Sequence, residues 1–116
     1  MLTKDAIAQA IAAHEAAGCT FVLEFPGPMG TMYERLRGDD LAAAIVELVN
    51  LPARMSGLTP TEYAEWIEWG GRVQCCAVTV RGKQCRKSAP GPLLKNPAEW
   101  KAARDAQPYC ESHGGT

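Results

Sequence analysis

The sequence has no long hydrophobic run and few aromatic residues. Every apolar stretch is interrupted well before the roughly 18 consecutive apolar residues of a membrane-spanning helix, so no transmembrane helix is predicted. Residues 1–17 lack a basic start and a continuous apolar segment, so no secretory signal peptide is predicted. Internal repeats, low-complexity tracts and a Gly-Lys-Ser/Thr phosphate loop are also missing. The 116 residues suffice for one ordinary core, or for a small domain plus a metal-held unit.

The C-terminal part of the sequence places four potential metal ligands in a short, loop-rich segment. Cys110 and His113 are close enough for one turn to present a thiol and an imidazole to the same ion. Cys75 and Cys85 flank a segment that contains Gly82 and is typical of a hairpin whose ends return to one point. Three thiolates and one imidazole close a tetrahedral shell, so the sequence predicts a structural Zn²⁺ site. Free buried thiols or an oxidised pair are the alternatives.

Cys76 directly follows Cys75 and offers a second thiol at the same place. Successive side chains of an extended strand point to opposite faces, so the two thiols cannot both face one ion without distortion. Cys75 is the preferred ligand and Cys76 the alternative. Because five cysteines are an odd number and metal binding needs reduced thiols, a cytoplasmic location is predicted.

Two short motifs mark the last third of the chain. They read Q-C-x-A-x-T-x-x-G-x-x-C and Y-C-x-x-H, and they consist of Gln74, Cys75, Ala77, Thr79, Gly82, Cys85, Tyr109, Cys110 and His113. This pattern resembles that of small bacterial and phage zinc-binding proteins. The resemblance implies a compact zinc-binding unit in which these three cysteines and the histidine are the ligands. The sequence differs in the extra Cys76 and in a long insert, residues 95–107, which is a candidate for specialised contacts.

The first 50 residues predict a helix, a β-hairpin and a second helix. Apolar residues at helical spacing after a threonine cap predict a helix over residues 3–17. Alternating apolar and polar residues predict strands over 20–25 and 31–37, joined by a Pro- and Gly-rich turn. These elements predict an α+β fold that starts with a small helix-hairpin-helix layer, with both helices on one face of the sheet.

The second of these helices is predicted over residues 41–50, with one of the two preceding aspartates as its cap. Leu41, Ile45 and Leu48 recur at helical spacing and are expected to pack on the hairpin.

The rest of the chain predicts a linker, a helix and the zinc-stabilised hairpin module. Proline and glycine in residues 51–58 are typical of a linker, and a capping box predicts a helix over 59–69. Asparagine, proline and glutamate start another helix over 96–106, whose Trp100 is expected to pack on the metal-bound hairpin. The predicted units are an α-β-β-α domain (1–50), a linker and connecting helix (51–71) and a zinc-binding module (72–116).

Charge is divided unevenly along the chain. Residues 1–71 contain four basic and ten acidic side chains, whereas residues 72–116 contain eight basic and three acidic ones. The division predicts either two halves that attract each other or two surfaces that bind different partners. The possible nucleic-acid contacts are Arg72, Arg81, Lys83, Arg86, Lys87 and Lys95. The possible protein-docking face is Asp39, Asp40, Glu62, Glu65 and Glu68. Ordinary solvated charge is the alternative for both sets.

These features predict a binding protein that is not an enzyme. Four protein ligands leave no position on zinc for a reacting water, and Cys110 and His113 are better explained as ligands than as a nucleophile pair. The expected partner is a protein or nucleic-acid-processing complex of a host or phage, and analogy with small phage proteins suggests inhibition of a host defence system such as CRISPR. The alternative is nucleic-acid binding through the basic C-terminal half. Neither a membrane nor a small-molecule substrate is expected.

Overall fold

A computed structural model describes residues 3–115 and shows a mixed α+β chain, as predicted. Its elements are α1 (Lys4–Ala16), β1 (Val22–Gly27), β2 (Gly30–Arg35), α2 (Gly38–Glu47), α3 (Leu51–Ser56), α4 (Pro60–Glu68), α5 (Pro97–Asp105) and a short 3-10 helix (Glu111–His113). The two strands form an antiparallel sheet. None of the described helices has the length and apolar character needed to cross a membrane. The outermost residues of the predicted units, 1, 2 and 116, lie outside the described range.

The first helix forms where the sequence predicts it, and the hairpin forms with shifted ends: Pro26, Gly27 and Gly30, predicted to lie in the turn, belong to the paired strands. The Oγ1 atom of Thr3 accepts a hydrogen bond from the Ala6 N–H at 3.1 Å and so caps α1. Ile7 and Ile11, one helical turn apart, are both buried. In β1 the side chain of Phe25 is buried, which agrees with the alternating pattern of this strand.

The second helix differs from the prediction in its start and in its buried face. It begins earlier, at Gly38, and the two aspartates lie in its first turn rather than at its cap. The helix buries Ala42 and Ala43, whereas Ile45 is 52% exposed and Leu48 is 87% exposed. Leu41 is partly buried against the cluster of Ile7, Ile11 and Ala42. The small alanine side chains let α2 approach α1 closely, and Ile45 and Leu48 are turned towards solvent. The prediction that the Leu/Ile stripe packs on the hairpin was therefore wrong.

A short helix, α3, occupies the region predicted as a linker. The Oδ1 atom of Asn50 accepts a hydrogen bond from the Ala53 N–H at 3.0 Å and caps this helix. Pro52 lies in its first turn, where the missing N–H would have no intrahelical partner. Gly57, with φ of +72°, ends it. Proline and glycine thus mark the ends of a helix here rather than an irregular segment.

Two tryptophans hold α5 against α4. Both Trp66 and Trp100 are 0% exposed. The Nε1–H of Trp66 donates to the Leu94 carbonyl at 3.0 Å, and that of Trp100 donates to the Arg72 carbonyl at 2.9 Å. The buried residues of this cluster are Leu58, Trp66, Val73 and Trp100. Trp100 therefore packs in a core shared with α4, not on the metal-binding hairpin as predicted.

The buried side chains form three small clusters rather than one core. They are Ile7, Ile11 and Ala42; Leu58, Trp66, Val73 and Trp100; and Cys75, Cys85 and Cys110. The molecule is elongated, 57 × 26 × 19 Å. Its radius of gyration is 18.4 Å, against about 13 Å for a compact chain of similar length. Three thiols bury little apolar surface, so the third cluster needs another source of stability.

Gly71 is a position where the backbone requires glycine. Its φ is +86°, and a Cβ atom there would lie 2.9 Å from the Leu94 carbonyl oxygen. We expect Gly71→Ala to lower the free energy of unfolding by about 1–3 kcal/mol, measured by urea denaturation. Gly57→Ala is the matched control, because its φ is +72° but nothing lies within 4 Å of the added Cβ. Equal losses in both variants would show that the close approach of Leu94 has no energetic effect.

Candidate metal centre

Four side chains that are distant in the sequence meet at one point of the fold. The Sγ atoms of Cys75, Cys85 and Cys110 and a ring nitrogen of His113 all lie within 4.8 Å of one another. The three cysteines are buried, and His113 lies at the surface. These are the four residues that the sequence predicts as ligands, and together they can hold a metal ion.

A short hairpin brings Cys75 and Cys85 together. The Cys75 N–H donates to the Lys87 carbonyl at 2.8 Å, and the Cys85 N–H donates to the Ala77 carbonyl at 2.8 Å. Gly82 takes a φ of +78° in the turn. The hairpin is held by isolated bridges instead of regular strands. Its tight turn places the two thiols on the same side.

The second pair of ligands lies on one turn near the C-terminus. Cys110 precedes the 3-10 helix, and the His113 N–H donates to the Cys110 carbonyl at 2.9 Å. The Cys76 N–H donates to the Pro108 carbonyl at 2.9 Å and ties this segment to the hairpin. Backbone hydrogen bonds therefore bring the two ligand pairs face to face.

Three of the distances between the donor atoms are close to those of a tetrahedral zinc shell, and all of them are below 4.8 Å. Zinc bond lengths place two sulfurs about 3.8 Å apart, and a sulfur and a nitrogen about 3.5 Å apart. The Sγ atoms of Cys85 and Cys110 are 4.0 Å apart. The Nδ1 atom of His113 lies 3.4 Å from the Cys75 sulfur and 3.2 Å from the Cys110 sulfur. The donor set thus fits an ion of the size of zinc.

The environment of Cys75 favours its thiolate form. The Ala77 N–H points at the Cys75 sulfur, with 3.4 Å between nitrogen and sulfur. Burial raises the pKa of Cys75, but hydrogen bonds from the backbone of Cys110 and Ala77 and from the His113 side chain outweigh it and lower the pKa to about 6. Metals bind the thiolate, so this cysteine is prepared as a ligand.

Cys85 shows why a cation belongs among these sulfurs. The N–H of Lys87 lowers the pKa of Cys85, but burial and the neighbouring sulfurs of Cys110 and Cys75 outweigh it, so the pKa is raised. Thiolates this close repel one another, and a divalent cation at their centre removes the repulsion. The chemistry of the donor set therefore favours a bound ion over three free thiols.

Cys76 lies outside the cluster. Its side chain lines a separate polar cleft together with Glu65 and Arg104. Burial and the charge of Cys75 raise its pKa, so it stays a neutral thiol at neutral pH. The alternation of side chains along an extended segment separates the two neighbouring cysteines. Of the two candidates, the structure brings Cys75 to the other ligands.

Most of the acidic residues predicted as a docking face are paired within the chain. The pairs Asp40–Arg54, Glu62–Lys101, Glu65–Arg104 and Glu68–Arg86 have N–O distances of 2.9, 3.5, 2.6 and 3.1 Å. Asp39 is exposed and has no ion pair within residues 3–115. Three of the pairs join α4 to residues of the basic half. The two oppositely charged halves therefore attract each other, which is one of the alternatives that the sequence left open.

The basic residues predicted to contact nucleic acid are all exposed. Arg86 pairs with Glu68 and lies over the Trp69 ring, 5.1 Å from its centre. Lys87 donates to the Ser112 hydroxyl at 3.2 Å. Among residues 3–115, no carboxylate pairs with Arg72, Arg81, Lys83, Lys87 or Lys95. These cations remain available to an anionic partner.

Sequence reasoning missed two exposed apolar residues on the metal-binding hairpin. Val78 is 68% exposed and Val80 is fully exposed. Their alternation with Ala77 and Thr79 is typical of a strand with one buried face, but no element within residues 3–115 covers Val78 and Val80. Comparisons with protein-family models, curated proteins and solved structures find no match to this chain.

Proposed function

We propose that this protein is a non-enzymatic binding protein whose C-terminal unit is stabilised by a structural Zn²⁺ ion. The observation that carries this proposal is the cluster of three sulfurs and one imidazole, whose donor atoms all lie within 4.8 Å of one another. Soft sulfur and imidazole donors suit zinc, whereas magnesium and calcium prefer oxygen. Four protein donors fill the shell, so the ion contributes to folding and leaves no position for a reacting water.

Nucleic acid is the partner that the free charges support best. Arg81 and Lys83 stand in the turn of the metal-binding hairpin, where the Thr79 N–H donates to the Lys83 carbonyl at 2.7 Å. This hydrogen bond holds the backbone of the turn from which the two exposed cations project. Cations that neutralise phosphates release counterions from the nucleic acid, which drives binding at low salt. The acidic set is largely paired within the chain, so it offers less support for docking on a basic surface.

Charge reversal in the hairpin turn tests this function. We expect the zinc-loaded protein to bind short duplex DNA at low salt, and Arg81→Glu with Lys83→Glu to abolish most of this binding. Replacing both cations with glutamine should remove two phosphate contacts. The magnitude of the slope of log K against log salt concentration should then fall by roughly 1.8. Fluorescence anisotropy at several salt concentrations measures both effects, first with duplex and then with single-stranded oligonucleotides.

The matched control changes two basic residues of the acidic half, Lys4→Glu with Arg37→Glu, and so alters the net charge equally. We expect this control to weaken binding much less, because neither residue lies on the metal-binding hairpin. Equal weakening by both double variants would show that only net charge matters. If the zinc-loaded protein binds neither duplex nor single-stranded oligonucleotides at low salt, the nucleic-acid function is contradicted.

A second candidate function is docking on another protein, and exposed apolar residues at the C-terminal end of α2 and directly after it support this function. Ile45 and Leu48 are more than half exposed, and Val46 is 44% exposed. Leu48 also has a positive φ, 55°, which is uncommon for a bulky residue. Apolar side chains presented by a helix suit insertion into a groove of a partner. If the protein docks on another protein, inhibition of a host defence complex is the predicted consequence of this docking.

A further inference from the structure

A polar cleft of about 530 Å³ lies beside the metal centre. Such a volume falls within the roughly 300–1,000 Å³ of sites for small ligands. Arg72 and Lys87, which are distant in the sequence, both line it, together with the hydroxyl-bearing Ser88 and Ser112. The fold thus collects two cations and two hydroxyls around one space.

The side chains of this cleft have the chemistry of an oxyanion site. The guanidinium of Arg72 has no carboxylate partner within residues 3–115. The Lys87 ammonium donates to the Ser112 hydroxyl at 3.2 Å, which orients the two groups towards each other. Guanidinium and ammonium groups form strong, charge-assisted hydrogen bonds to phosphate oxygens. A phosphate group has enough acceptor oxygens to bind the cations and the hydroxyls together.

The walls of the cleft are held by the elements that build the metal centre. The Lys87 carbonyl accepts from the Cys75 N–H at 2.8 Å, and the Lys87 N–H points at the Cys85 sulfur at 3.5 Å. Ser112 lies between the ligands Cys110 and His113 in the sequence. On the opposite wall, the backbone of Arg72 is held by the Trp100 indole. The backbone positions from which the donors project are therefore held before a ligand arrives, which reduces the entropy lost on binding.

One acidic side chain opposes this attraction. Glu111 also lines the cleft and is exposed. Its carboxylate repels a phosphate group and partly offsets the charges of Arg72 and Lys87. Sulfur ligands of the metal centre add further negative charge nearby, although backbone N–H groups point at two of them. Affinity for a single phosphate is therefore expected to be modest, and removal of the Glu111 charge should increase it.

We infer that this cleft binds a phosphate group of a nucleic-acid strand through Arg72, Lys87 and the two serine hydroxyls. The inference rests on the proposed nucleic-acid function and names the chemical group and the residues that hold it. The phosphate can be the terminal monoester of a strand or an internal diester, because both present oxygens to the same donors. A terminal monoester carries more negative charge, so the two sources can be distinguished.

Inorganic phosphate is the first probe, titrated into the zinc-loaded full chain at low ionic strength. We expect saturable NMR shifts of the backbone amides of Ser88, Gly91 and Ser112. Combined Arg72→Gln and Lys87→Gln should weaken this binding about tenfold or more, because both charge-assisted hydrogen bonds to the phosphate oxygens are lost. Glu111→Gln should strengthen it. Zinc content, measured for every variant, shows that the centre remains intact.

The matched control is Arg81→Gln with Lys83→Gln, which removes the same charge outside the cleft and should leave the phosphate titration unchanged. Single-stranded oligonucleotides with a 5′-phosphate or a 5′-hydroxyl then identify the source. A preference for the 5′-phosphate that is lost in Arg72→Gln/Lys87→Gln supports a terminal monoester. Equal binding of both oligonucleotides, weakened equally by that variant, supports an internal diester.

Two results separate this inference from the proposed function. If oligonucleotides bind but phosphate does not shift the cleft amides, or if Arg72→Gln/Lys87→Gln leaves the titration unchanged, the cleft assignment is wrong while the function stands. If phosphate binds in the cleft but no oligonucleotide is retained at low salt, the nucleic-acid function fails.

Discussion

Cys110→Ser is expected to release the metal ion and to unfold the C-terminal unit. Cys110 is 2% exposed, and its sulfur lies within reach of Cys85 and His113. The third cluster contains no large apolar side chain among its buried residues, so packing alone does not hold it. Structural zinc sites contribute about 10–16 kcal/mol, which is as large as the about 5–15 kcal/mol stability of a whole domain. Loss of one ligand should therefore remove most of the order of this unit.

Zinc content by atomic spectroscopy and the dispersion of amide NMR signals measure the effect. We expect one zinc per chain in the unchanged protein and a large loss in Cys110→Ser, with collapse of the Ala77 and Cys85 signals. Signals of Ile7 and Ile11 should persist, since they belong to a separate cluster. Cys76→Ser is the matched control and should keep the ion. Full zinc occupancy and unchanged dispersion in Cys110→Ser would contradict the metal-centre assignment.

Trp100→Ala is expected to produce the second large effect, a loss of about 3–5 kcal/mol in the free energy of unfolding. Its side chain is 0% exposed and its indole N–H bonds the Arg72 carbonyl. The remaining links between α4 and α5 include partly exposed ion pairs of Lys101 and Arg104, and such pairs contribute about 0–1 kcal/mol each. They cannot replace the buried indole.

Urea denaturation of the zinc-loaded protein measures this loss. Trp69→Ala is the comparison, because Trp69 is only half-buried and contacts the exposed Arg86 side chain. We expect its loss to be clearly smaller than that of Trp100→Ala. If Trp100→Ala changes the stability by less than Trp69→Ala, the core shared by α4 and α5 is not a main source of stability.

The sequence predicted best where the signals are local. The Thr3 cap, the Thr59–Glu62 capping box and the Asn96 cap each depend on a few neighbouring residues, and the corresponding helices form. The same holds for the ligand pairs, because a hairpin and one helical turn set the spacing within each pair. The predicted alternation of buried and exposed side chains in β1 is also confirmed, since it depends on only one neighbouring strand.

Predictions that depended on distant contacts were less successful. The Leu41, Ile45 and Leu48 stripe has helical spacing, but only Leu41 packs inwards, against the cluster that α2 forms with α1, and Ile45 and Leu48 are exposed. The linker over 51–58 contains a helix because Asn50 supplies a cap that composition did not reveal. Trp100 was assigned to the nearest unit in the sequence, whereas burial places it with Trp66.

By itself, the sequence determined the donor types of the metal centre, the ends of most helices and the opposite charges of the two halves. Each of these depends on residue identity and short-range spacing, which no later folding step changes. Tertiary structure alone decided that Cys75 rather than Cys76 joins the cluster, that Glu62 and Glu65 of α4 pair with α5, and that Arg72 and Lys87 share a cleft. These outcomes depend on which surfaces come within a few ångströms of each other, and close packing of distant segments sets those distances.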